Sequence, residues 1–186
     1  MKISFKVFVG LIFSLLLTSC MSLKADPRLL QSNLDPKAPA VNAAYVVRTD
    51  MADHLHRQLT GANLDKLLKD VLEVGLKNSG LFTPTANDEY VVYAHLEDAS
   101  QSTFSFGRFN GTFDVTYKVA DNKGNVIFTT RIKTTAGSDK YYIIGEQRHT
   151  RARIVNCSKN VNQFIAEFNQ FLLDQNKSKN AGKKKG

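Results

Sequence analysis

Cysteine is scarce in this 186-residue chain, with only Cys20 and Cys157. Two thiols cannot build a disulfide framework, so any folded domain must rest on an apolar core, and about 130 residues is enough for one. Long hydrophobic runs are also missing. The main one, Val7 to Leu17, falls short of the roughly 20 residues that a transmembrane helix needs. Glycine-rich phosphate loops are absent, as are a Gly-x-Ser-x-Gly elbow and a His-Glu-x-x-His zinc motif. The formal charge of +8 is not a domain property. Lys2 and Lys6 lie at the start, and Lys177, Lys179, Lys183, Lys184 and Lys185 lie in the last ten residues. Between Cys20 and Asp174, 18 basic side chains face 17 acidic ones. A nucleic-acid binder would carry its excess on the domain, so nucleic acid is not an expected partner.

The first residues have a clear layout. A basic head (Lys2, Lys6), the apolar run and a small-residue exit at Thr18-Ser19 together read as an export signal over residues 1–19. Leu17-Thr18-Ser19-Cys20 resembles the lipobox of bacterial lipoproteins. The resemblance implies that Cys20 receives a diacylglycerol, that cleavage precedes it, and that two or three acyl chains anchor the protein where one would bind only marginally. Met21 stands where inner-membrane retention in the enterobacterial pattern would want Asp. By resemblance, the expected location is the outer membrane, with the domain facing the periplasm.

Residues 20–42, with Pro27, Pro36 and Pro39 and no sustained periodicity, read as the lipidated N-terminus and a tether. Fully extended, it would reach about 70 Å. Leu29, Leu30 and Leu34 could instead pack onto the domain. Residues 43–174 read as one globular domain. Ala43 to Thr49 suits a strand. Asn63 is an expected N-cap for a helix on which Leu64, Leu67, Leu68, Val71, Leu72, Gly75 and Leu76 keep helical spacing, and Gly80 closes it. Glu89–Leu96 is a second strand. Thr103–Ala120 is a long one, bulged or split at Asn110-Gly111, and its half from Phe113 to Val119 alternates apolar with polar. After the turn cluster Asp121–Asn125, Val126–Thr135 returns. Ile154, Cys157, Val161, Phe164, Ile165, Phe168, Phe171 and Leu172 form one stripe of a last helix ending near Asp174, with Lys159, Asn160, Glu167 and Asn169 on the other side. The expected fold is α+β: an antiparallel sheet of about four strands with two helices on one face, in the order β-α-β-β-β-α. Residues 175–186 read as a disordered basic tail.

This outline, behind a lipobox and a Pro-containing tether, resembles several families of small envelope lipoproteins: the LPS-assembly lipoprotein, the YajG type, and the auxiliary lipoproteins of lipid-transporting ABC systems. The likeness covers roughly residues 43–174. It includes a last segment that is basic at its start, with Asn160-Val161 ahead of Phe164. Apart from Cys20, no family site residue carries over.

Chemistry in the domain is sparse. His54 and His56 would share a face of a strand, and with His95 or His149 they could hold a metal, but a plain surface pair is the simpler expectation. Cys157 lies on the apolar stripe and reads as buried. On a helix it stands about 12 Å from His149, too far for direct proton transfer. Arg148, Arg151 and Arg153, near the start of the last helix, suit phosphates of LPS or acidic groups of a partner, or else pair with Glu146 or Asp139. Phe104, Phe106 and Phe109 could form an aromatic tip or pack in a core hairpin. The lysine tail could touch anionic lipid or serve solubility only. No catalytic residue, metal or cofactor is implied. The expected role is a non-enzymatic lipoprotein, anchored by its lipid and binding another envelope protein in outer-membrane assembly or in lipid or LPS handling. The alternative is a structural subunit of a secretion or motility apparatus.

Overall fold

The computed structural model describes residues 23–30, 34, 39–57, 63–84, 88–101, 110–139 and 145–183. Strand β1 (Ala44–Met51) leads through a short helix α1 (Asp53–His56) to helix α2 (Leu64–Ser79). Strands β2 (Glu89–Gln101), β3 (Asn110–Ala120) and β4 (Val126–Gly137) follow, and helix α3 (Gly145–Lys183) completes the order. The α+β architecture and the helices packed on the sheet are as expected.

The sheet, in order β1-β2-β3-β4, is mixed rather than wholly antiparallel. β2, β3 and β4 form the antiparallel meander, but β1 runs parallel to β2, from Ala44 opposite Glu89 to Met51 opposite Leu96. The cause is the connection. A helix between two neighbouring strands carries the chain back along the sheet, so the second strand starts at the same end as the first.

α2 forms where its spacing puts it, with Leu67, Leu68, Val71, Leu72, Gly75 and Leu76 buried. Gly80 ends it in the left-handed conformation, φ 66°, a backbone that costs glycine nothing. Asn63 sits at the N-cap, but its side chain accepts no capping hydrogen bond. It adopts φ 64°, a region that Asn tolerates better than most residues. Residues 102–109 lie outside the described ones, so the first half of the expected Thr103–Ala120 strand, with Phe104, Phe106 and Phe109, is not placed.

α3 departs from its expected pattern in two ways. It does not end near Asp174 but runs on to Lys183. The tail predicted to be disordered is thus largely helical, and its residues from Asp174 to Asn180 are exposed. An existing helix lengthens at the small cost of one residue fixed per hydrogen bond gained, and no proline intervenes. Gln170 and Lys177 also reach Asp174 along the helix surface.

The second departure concerns burial. Asn160 and Asn169, expected on a solvent side, are 0% and 5% exposed. Asn160 points at the sheet. Its amide donates to the Ile132 carbonyl (2.9 Å), the Thr134 hydroxyl (3.1 Å) and the Phe113 carbonyl (3.3 Å). Its oxygen accepts from Tyr117 Oη at 2.7 Å. One turn earlier, Asn156 donates to the Gly111 carbonyl at 2.6 Å. Around this polar seam lies a row of rings. Tyr117 stacks on Phe164 at 4.3 Å between centroids, and Phe128 meets Phe164, Phe168 and Phe171 at 5.2 to 6.3 Å. Such pairs add about 0.5–1.5 kcal/mol each beyond area burial.

Asn160→Ala strands the Tyr117 hydroxyl without its acceptor. We expect a loss of about 2–3 kcal/mol in urea unfolding. Asn160→Asp should cost at least as much, because an acceptor-only carboxylate would face the carbonyls of Phe113 and Ile132.

Candidate functional site

The residues expected to form a loose tether are largely docked. Leu30 is 1% exposed, and Leu23, Ala25, Leu29 and Leu34 pack against the core cluster. Pro27–Leu29 forms one 3-10 turn, capped by the Asp26 carboxylate accepting from Arg28 N. This strap is tied down along its length. Ala25 N donates to Asp70 Oδ2 on α2 (2.7 Å), and Asn162 Nδ2 on α3 donates to the Leu29 carbonyl (2.7 Å). Gly75 lets the three pieces close: a Cβ there would stand 3.0 Å from Val161 and Ile165 and 3.5 Å from Leu30. Of the two openings left by the sequence, the packed one is observed, because the strap leucines cover a seam between two helices.

Arg151 clasps the strap. It is 4% exposed. Its Nη1 donates to Asp26 Oδ2 at 2.7 Å, while Nε and Nη2 fork onto Asp139 at 2.5 and 2.6 Å. Hydrogen bonds from Arg28 and then Arg151 hold the Asp26 carboxyl far below the ordinary carboxylate range, and Asp139 and Asp26 push the Arg151 guanidinium further up. Of the two readings left open for Arg151, the pairing with Asp139 is present, and Asp26 is added to it as a second acid. Arg148 and Arg153 do not join it. Arg148 is half-buried in the first turns of α3. Arg153 lines a narrow cleft with Leu64, Gln101 and Phe113, where burial lowers its pKa.

The histidines are spread apart. His54 sits on α1 beside Asp98 (3.5 Å), His95 contacts Asp50 (2.6 Å) and Glu97 (3.8 Å), and His149 meets Gln101 (3.2 Å). Among the described residues, no three His, Cys, Asp or Glu side chains are grouped to hold a metal. Cys157 is free and fully buried, and burial pushes its thiol well up. Cys20 lies outside the described residues. No helix among them is long and apolar enough to cross a membrane.

Two surfaces stand open among the described residues. One is the outer face of the sheet. Here the register brings Val46 beside Val91, Arg48 beside Tyr93 and Asp50 beside His95, while Lys118 and Thr116 of β3 flank Tyr93 and His95 from the other side. Arg48 lies 5.8 Å over the Tyr93 ring, and Arg131 forks onto Asp114 at 2.9 and 3.1 Å. Val46 and Tyr93 are 36% and 38% exposed. The other is a shallow groove of about 450 Å³ between the edge strand β1 and α2, floored by Tyr45, Val47 and Val74 and rimmed by Lys69, Glu73 and Lys77.

No protein-family model matches this sequence, and no curated protein does either. Solved structures do resemble it. A DUF330 protein from Xanthomonas campestris superposes with TM-score 0.55 at 10% identity, over 80% of this chain and 95% of its own. That likeness shows the fold alone. A minor lipoprotein from Acinetobacter baumannii (TM-score 0.39, 16% identity, 67% and 91% covered) and a PelC dodecamer subunit from Paraburkholderia phytofirmans (0.45, 17%, 70% and 95%) are more distant.

Removing Arg151 would leave Asp26 and Asp139 facing each other. We expect Arg151→Met to cost about 2–3 kcal/mol, somewhat below the value for a fully buried pair because Asp139 keeps about a third of its exposure. The Asp26 carboxyl is depressed on folding, so its contribution is complete above the unfolded carboxylate range near pH 4 and is lost as pH falls below it. Urea titrations at pH 7 and pH 3 should therefore show a smaller acid loss in the variant than in the wild type.

Proposed function

We propose that this protein is a lipid-anchored envelope protein, held to a membrane through acyl chains on Cys20, that acts by binding a protein partner rather than by catalysis. What supports it is the surface left open once strap and helices are packed. The outer sheet face is broad, and two charged pairs close across its strands, Asp50 with His95 and Asp114 with Arg131. At the β1–β2 rim it presents Val46, Tyr93 and Arg48. A partly exposed aromatic beside an arginine is the composition of an interface anchor. Asn160 and Arg151, by contrast, are buried and engaged inside the domain. The partner this reading favours belongs to outer-membrane assembly or to lipid or LPS handling. Met21 favours the outer membrane as the location, and this reading turns the domain to the periplasm.

Two variants test this. Cys20→Ala should leave the precursor uncleaved and abolish incorporation of labelled palmitate; label that persists would contradict the anchor. Tyr93→Glu should leave the unfolding midpoint unchanged and remove the main partner recovered by crosslinking in intact cells. A partner retained at the wild-type level would exclude this face. Recovery of a large symmetric ring of this chain from detergent would favour a structural subunit instead.

A further inference from the structure

The strap also bears on how the domain stands at the membrane. Only Met21 and Ser22 separate Cys20 from Leu23, the first described residue and one packed against the core cluster. At about 3.6 Å per residue, the leash from Cys20 to Leu23 spans at most about 11 Å. The strap lies on the side of α3 that faces away from the sheet. With 100° per residue, Arg151 and Asn162, which hold the strap, project roughly 180° and 200° around the helix from Asn160, which holds the sheet. Between strap and outer sheet face therefore stand a helix, about 10 Å across, and the sheet itself.

We infer that the docked strap fixes the domain's orientation: the helix layer lies against the bilayer that holds the acyl chains, and the outer sheet face is turned away from it. This rests on the lipid-anchor reading above. A free tether of 22 residues would let any face meet the membrane, whereas an 11 Å leash rooted in the helix layer admits one side only. Val46, Tyr93 and Arg48 are then presented to a partner approaching from the aqueous side.

The lipidated mature protein in neutral phosphatidylcholine vesicles tests this without help from charge. Lys66→Cys on α2 and Lys118→Cys on β3, both exposed positions, take a donor fluorophore, while buried Cys157 stays unlabelled. Energy transfer to headgroup-labelled lipid should be at least threefold stronger from position 66 than from position 118. A flexible 15-residue Gly-Ser linker inserted between Ser22 and Leu23, which leaves the packed residues intact, should bring the two values together. Equal transfer from both positions in the uninterrupted chain, or a difference that survives the linker, overturns the inference alone. A mature N-terminus that mass spectrometry shows to lack diacylglycerol overturns it together with the anchor reading.

Discussion

Helix α3 is covered on two opposite sides, and the side-chain donors of Asn156, Asn160, Asn162 and Arg151 that this covering buries find acceptors on the sheet and on the strap side. A helix on the surface of a two-layer domain normally buries one stripe. Here Asn156 and Asn160 face the sheet while Arg151 and Asn162 face the strap. A buried polar group without a partner costs about 1–3 kcal/mol, so each needs a fixed acceptor. On the sheet side these are the carbonyls of Gly111 and Ile132. On the other side they are Asp26, Asp139 and the Leu29 carbonyl. The polar contacts thus set the position of the helix along the sheet, which apolar packing alone leaves loose.

Much of the fold was legible. The 3-4 spacing of the α2 leucines and the alternation from Phe113 to Val119 each reflect burial on one side, which is what periodicity detects. Even the parallel β1–β2 pair was implied by the β-α-β order, although the antiparallel meander drew attention from it. Asn160 was misplaced because a pattern reading takes asparagine for solvent. On this helix it faces the sheet beside Phe164, and its amide bonds to the carbonyls of Ile132 and Phe113. The end of α3 was set too early because the last apolar residue marks where packing stops, not where the backbone hydrogen bonds do.

The candidate site was less legible. Arg151 was singled out for its charge, yet its partner Asp26 lies 125 residues earlier. No local pattern links the two. The one clue was Asp26-Pro27 itself, a polar residue before proline that suits the start of a 3-10 turn. Leu29, Leu30 and Leu34 carried the apolar signal, but three leucines without a period cannot show what they cover. The histidines were simpler: His54 and His56 are both exposed on the short helix α1, the plain surface pair that the sequence favoured, and not two side chains sharing a strand face.

The strap draws its strength from being held at several points at once. Ordering eight residues costs on the order of 1–2 kcal/mol each in backbone freedom, while burying one leucine returns only about 1.5–3 kcal/mol. Leu30 alone could not hold the segment. The clasp at Asp26, the bond from Ala25 to Asp70 and the Asn162 contact share the cost, so losing any one weakens the others. Apolar burial supplies the adhesion and the buried arginine supplies the register, which makes the first residues of the domain part of its core rather than its leash.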